Sequence, residues 1–198
     1  MRSDIDDIEN RIIVDWIEPG SKVLELGCGD GELLAQLIAE KRVRAQGIEI
    51  DDGSVYSCVK KGLNVLHEEI DEALSDYNDG IYDFTVFKRS MQRVVGRPDA
   101  VLKEALRISK KVIVSFSNFA HYQARWQILV KGRTPVTPSL PYEWHDTPNL
   151  HFLSIRDFEG WCRDKNVIIE KTAYIGRHGR VKVAPNLTAL TGLFLITK

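Results

Sequence analysis

Apolar residues at the start of the chain recur at helical spacing. Ile5, Ile8, Ile12, Ile13, Trp16 and Ile17 share one face of a predicted helix over residues 3–17, with Ser3 as its N-cap and Pro19-Gly20 as its stop. The pattern then changes. Residues 22–26 form a short apolar run that enters Gly27-Cys28-Gly29-Asp30-Gly31, and Leu33, Leu34, Leu37 and Ile38 mark one face of a following helix. Strand, glycine turn and helix thus follow one another within a short stretch. The alternation continues with a strand over 44–50, a helix over 53–61, a brief strand over 64–66, a strand over 82–87, a helix over 98–108 and a strand over 111–116. Strands alternating with helices predict an α/β fold with a mostly parallel sheet.

The second half is less regular. A helix is predicted over 117–131. Residues 132–150 carry Pro135, Pro138, Pro141 and Pro148, which predicts a long loop, and long loops in compact domains are often functional. Ser154, with Asp157 three residues on, caps a helix over 154–164. Strands over 167–175 and 191–197 flank a basic stretch, Arg177 to Lys182, and are expected to pair antiparallel at one edge of the sheet. The expected organisation is one domain over 1–198 with a proline-rich insertion or lid at about 117–151.

Composition narrows the classes of function. The chain has 198 residues, 43% hydrophobic and 28% charged, with 27 Lys plus Arg against 28 Asp plus Glu. The apolar share is enough for a core and argues against disorder. A formal charge of −1 argues against a protein that coats nucleic acid. No run approaches the ~18 apolar residues of a membrane helix, and the acidic amphipathic start has no signal-peptide core. A cytoplasmic protein without membrane contact is expected. Three widely spaced cysteines, Cys28, Cys58 and Cys162, make neither a disulfide framework nor a zinc ribbon.

The sharpest motif is Glu25-Leu26-Gly27-Cys28-Gly29-Asp30-Gly31 between a strand and a helix. Glycines let the backbone turn tightly and approach a ligand, and the helix N-terminus offers free N–H groups. A dinucleotide fingerprint would need its third glycine at position 32, which is Glu32, and a phosphate loop would need a Lys that is missing. A carboxylate at Glu25 suits a cationic ligand rather than a pyrophosphate. S-adenosylmethionine (SAM), with its sulfonium and ammonium, fits that charge. Glu49 ends the second strand about 20 residues after Gly27, where a carboxylate can accept ribose hydroxyls. Residues 68–71 (Glu68, Glu69, Ile70, Asp71) follow the third strand and can face an adenine. A glycine turn alone is used by many α/β proteins; the turn together with Glu25 and Glu49 makes the argument. Cys28 is a small residue within the turn rather than a nucleophile.

With these features the chain resembles the class I SAM-dependent methyltransferase superfamily over residues 20–116. The resemblance implies a Rossmann-like, seven-stranded, mostly parallel sheet with its last strand antiparallel and helices on both faces. It implies that Gly27 and Gly29 line the methionine part of SAM, that Glu49 takes the ribose, and that Glu69 and Ile70 lie near the adenine. The expected cofactor-binding set is Glu25, Gly27, Cys28, Gly29, Glu49, Ile50, Glu69 and Ile70, with S-adenosylhomocysteine (SAH) as product. Asn64-Val65, Gln92, residues 115–121, 132–136 and 140–149, His151 and Asp157-Phe158 resemble the MetW family. That resemblance spans nearly the whole chain. It implies a role in methionine biosynthesis and association with a homoserine O-acyltransferase as a companion protein. Where the family carries small polar residues after the fourth strand, this chain has Lys88-Arg89.

Methyl transfer to nitrogen or oxygen needs an aligned acceptor and a base. His121, Tyr142, His145 and His151 are the candidates; each can equally serve the loop as a cap or packing residue. His145, Asp146 and His151 match no metal-ligand spacing, so no metal is expected. Phe119, Tyr122, Trp126, Tyr142 and Trp144 can line a pocket, face a partner or pack in the core. The absence of an Asn-Pro-Pro-Tyr-like motif after the fourth strand disfavours DNA as substrate. Two classes of function remain open: a SAM-dependent methyltransferase acting on a small molecule, and a non-catalytic or SAM-sensing module that activates or regulates an acyltransferase.

Overall fold

Among the described residues, eight strands form one sheet in the order β3-β2-β1-β4-β5-β8-β6-β7. They are β1 (Lys22–Leu26), β2 (Arg44–Glu49), β3 (Val65–His67), β4 (Tyr82–Lys88), β5 (Ser109–Ser117), β6 (Ile168–Gly176), β7 (Gly179–Arg180) and β8 (Thr191–Thr197). The computed structural model describes residues 2–94 and 96–198, with the backbone alone for Arg2 and Ser3. β1 to β5 are mutually parallel, and β8 lies antiparallel between β5 and β6. The expected count of seven strands becomes eight because β7 pairs back on β6 through Ile175 and Gly176. The basic stretch after β6 therefore turns back as a hairpin.

The helices are α1 (Arg2–Trp16), α2 (Glu32–Lys41), α3 (Asp52–Lys60), α4 (Ile70–Ala73), α5 (Pro98–Ile108), α6 (Tyr122–Trp126), α7 (Ile155–Asp164) and α8 (Pro185–Thr188). α1 is already helical at Arg2, so Ser3 is not its N-cap. The helix expected over 117–131 starts only at Tyr122, because β5 runs on to Ser117 and His121 caps the helix by accepting from Gln123 N–H. It continues as a single π turn over Gln127–Lys131. Ser154 caps α7, with Asp157 completing a reciprocal capping box. None of the helices among the described residues is long and apolar enough to cross a membrane.

Alternation along each strand divides the core into two layers. Leu24, Leu26, Val112, Val114, Phe116, Phe194 and Ile196 pack against α5 and α7. Val23, Ile113, Leu193 and Leu195 pack against α1 and α2 on the opposite face. Both faces are covered, which is why Val112 to Val114 and Leu193 to Ile196 are uninterrupted apolar runs in the sequence. Ile38, expected on the buried face of α2, is 39% exposed, while Leu33, Leu34 and Leu37 carry the contact.

Strand order reverses direction between β1 and β4, and a crevice opens there at the carboxyl ends of the strands. Residues 132–150 cross over it with little regular structure. They are pinned from three sides. Gln127 exchanges two hydrogen bonds with the Val136 backbone, Ser117 Oγ donates to Ser139 O at 2.7 Å, and Leu150 N–H and His151 N–H donate to Gln92 O.

Candidate functional site

The glycine turn is built by sterics and by β2. Gly27, Gly29 and Gly31 have φ of 72°, 55° and 78°, in the left-handed region that favours glycine. A Cβ on Gly27 would sit 2.7 Å from Ser90 Cβ, and one on Gly31 would sit 2.4 Å from Leu63 Cδ1. A Cβ on Gly29 would meet nothing within 4 Å. The turn is thus closed on two sides by protein and open at its middle glycine. Gly27 N–H and Cys28 N–H donate to Ile48 O, which ties the turn to β2.

Glu49 completes that link. Its Oε2 accepts from Gly29 N–H at 2.7 Å, and its Oε1 accepts from Ile50 and Asp51 N–H at 2.9 and 3.0 Å. A carboxylate offers about four acceptor positions, so these three amides leave about one for a further donor.

A cavity of about 310 Å³ opens beside the turn. That lies at the lower end of the ~300–1,000 Å³ range of small-molecule sites. Each of the five parallel strands contributes to its wall at or just beyond its carboxyl end. Gly27 follows β1, Glu49 ends β2 and Ile50 follows it, Glu68 to Asp71 follow β3, Lys88 ends β4 and Arg89 and Ser90 follow it, and Ser117 ends β5. The proline-rich segment closes the far side with Pro138, Ser139, Pro141 and Tyr142.

Of the residues expected from the sequence, Gly27, Glu49, Ile50, Glu69 and Ile70 meet on this wall. Glu25 and Cys28 are buried behind it, and Gly29 opens to free space at the middle of the turn without lining the cavity itself. Cys28 packs with Leu34 and Cys58, and burial pushes its thiol well above the usual range, which fits a packing residue and not a nucleophile. Glu25 alternates with Leu24 and Leu26, so it points to the α1 face and is 1% exposed. Burial raises its carboxyl to about 8. Lys88 opposes that shift, while Asp30, Glu49 and Glu9 reinforce it. Its Oε2 is buried without a hydrogen-bond partner among the described residues.

The four candidate bases separate. Tyr142 alone lines the cavity. His121 is 4% exposed, accepts from Gln123 N–H, and belongs to a different groove beside Arg177; burial and that arginine lower its pKa. His145 is exposed and packs against Trp144. His151 bonds Val94 O through Nε2 at 3.0 Å, so it positions the loop. The aromatic group divides likewise. Phe119 packs on Phe152, whereas Tyr122 and Trp126 are exposed on an outer groove with Leu129 and Leu187.

The sequence reading missed the contribution of α1. Arg89, held at φ 54°, forms ion pairs with Asp6 and with the fully buried Glu9. Asp6 and Glu9 are three residues apart on α1, and Asp6 also lines the cavity; the spacing signals a shared partner only once Arg89 is placed. Gln92 was legible only as a motif residue. Its Oε1 accepts from Ser117 N–H at 3.0 Å and its Nε2 donates to His151 O, so one side chain ties β5 to the loop.

A sequence profile described as "Methionine biosynthesis protein MetW" matches residues 7–196. The "Bifunctional methionine biosynthesis protein MetXA/MetW" of Rhodopirellula baltica is 30% identical over 199 residues, covering 94% of this chain and 32% of that protein. The chain therefore spans about a third of that relative's length. A "Ubiquinone biosynthesis O-methyltransferase" of Burkholderia thailandensis is 25% identical, covering 69% of this chain and 63% of that protein. Among solved structures, a SAM-dependent methyltransferase from Archaeoglobus fulgidus superposes with a TM-score of 0.74 at 12% identity, covering 100% of this chain and 95% of that one. That likeness establishes the Rossmann-like methyltransferase fold. With the profile spanning almost every residue, the chain belongs to the MetW family.

Proposed function

We propose that this chain binds SAM in the crevice between β1 and β4 and transfers its methyl group to a small molecule. The observation that carries the reading is the meeting of all five strand ends at one cavity, with the open Gly29 turn bonded to Glu49. The residues fit such a ligand. The turn has space at its middle glycine, Glu49 keeps about one acceptor position for a hydroxyl, and Ile50 and Ile70 offer apolar surface to a base. SAM, when bound, supplies a methyl carbon made electrophilic by the sulfonium. The chain's own part is positioning. The glycine turn and Glu49 hold one side, Pro138, Pro141 and Tyr142 shield the other from water, and Tyr142 is the titratable candidate from the loop that borders the space.

Calorimetric titration with SAM and SAH tests this. Binding of both is expected, and Gly29→Asp, which drives a carboxylate into the open turn, is expected to abolish it while the protein stays folded. Failure of both ligands to bind the unaltered protein overturns the reading.

A second reading is favoured by the fused Rhodopirellula relative, whose MetW part shares a polypeptide with MetXA. In it, this chain activates or regulates a homoserine O-acyltransferase, with SAM as a sensed signal or with no methyl transfer at all. Co-expression and co-purification, followed by acyltransferase assays with and without this chain, separate the two readings. An unchanged acyltransferase activity and stability would exclude the second.

A further inference from the structure

The charges of the cavity are sorted by side. The β2–β3 side carries Glu49, Glu68, Glu69 and Asp71, while the β4 side carries Lys88, Arg89 and Arg93. Arg89 is spent, because Asp6 and the buried Glu9 hold its guanidinium. Lys88 is not. It is half-buried on the wall and makes no ion pair among the described residues. Glu25 and Asp30 feel its charge without closing a pair with it. Arg93 stands exposed at the rim and makes no ion pair among the described residues. A second polar group faces the same space. Ser90 is 3% exposed, lines the cavity, and its Oγ has no hydrogen-bond partner among the described residues. Neighbouring polar groups are committed elsewhere: Ser117 Oγ to Ser139 O, and Gln92 to Ser117 and His151.

A half-buried ammonium that stops short of an ion pair with Glu25 or Asp30, and a buried hydroxyl without a protein partner, both stand open to an acceptor in the cavity. One singly charged acceptor satisfies both. A phosphate dianion would bring two charges into a space whose opposite wall holds four carboxylates. We propose that the β4 side of the cavity is an acceptor subsite for a small carboxylic acid, whose carboxylate pairs with Lys88 and accepts a hydrogen bond from Ser90, with Arg93 drawing it in at the rim. This rests on the SAM-binding reading above and names the chemical class of the acceptor.

The test titrates protein saturated with SAH. The probes are straight-chain mono- and dicarboxylates from acetate to glutarate together with benzoate, each compared with its neutral amide, and inorganic phosphate. At least one carboxylate is expected to bind tenfold or more tighter than its amide and tighter than phosphate. Lys88→Gln is expected to erase that preference, and Lys88→Arg, which keeps the charge, to retain it. Lys88→Arg carries the comparison if the neutral variant does not fold. Equal binding of acids and amides across the panel, tighter binding of phosphate, or a preference that persists in Lys88→Gln overturns the subsite. Failure of SAH itself to bind is a different result, because it removes the SAM-binding reading beneath the proposal.

Discussion

Glu25 is a carboxyl with almost no access to water, sited between two apolar strand neighbours, and its pKa is raised to about 8. An acid whose folded pKa lies above its unfolded value near 4.5 keeps its proton longer in the folded state. Below pH 4.5 the group is neutral in both states and costs nothing. As pH rises from there towards 8, the unfolded chain ionises first, and stability falls. Each pH unit in this window removes about 1.4 kcal/mol, so the span from pH 5.5 to 8 removes about 3 kcal/mol. Glu25→Gln keeps the shape and removes the titration. Urea unfolding at several pH values, with the slope m held in common, should show wild type and variant close together near pH 5. Their stabilities should then diverge in favour of the variant by about 3 kcal/mol at pH 8. If the two curves run parallel across that range, Glu25 is ionised in the fold and the assignment of a buried neutral carboxyl is wrong.

Three further outcomes follow from the packing around the cavity. Arg89→Met strips the counter-charge from the buried Glu9 and should cost about 3–5 kcal/mol in urea unfolding, with Glu9→Gln in the same chain recovering a substantial part. Gly31→Ala drives a Cβ to within 2.4 Å of Leu63 and 2.8 Å of Cys58 and should cost about 1–3 kcal/mol beyond the left-handed backbone penalty, whereas Gly29→Ala meets open space and should pay only that penalty of about 1–2 kcal/mol. Thermal melts of the two variants should therefore separate clearly. Gln92→Leu leaves the buried Ser117 N–H without its acceptor, which should cost about 1–3 kcal/mol, and should raise hydrogen exchange at Leu150 and His151 more than in α5.

The pattern of apolar positions determined most of the architecture. α5 and β8 lie where periodicity places them, at Pro98–Ile108 and Thr191–Thr197, and the capping box at Ser154 and Asp157 starts α7 as predicted. These are local effects: a helix cap, a two-residue or 3.6-residue period, and a glycine turn depend on neighbours in the chain. Gly27 and Glu49 were legible for the same reason, since a turn after one strand and an acid at the end of the next follow from the order of the elements. The tertiary structure decided what depends on long-range contact. Nothing near Arg89 in sequence shows that Asp6 and Glu9, some eighty residues away, would consume its charge and leave Lys88 unpaired beside it. Nor does composition show that His121, His145 and His151 would turn to caps, solvent and a backbone carbonyl while Tyr142 alone of that set borders the cavity. A side chain's chemistry is written in its identity, but its pairing, burial and effective charge are set by whichever elements fold against it.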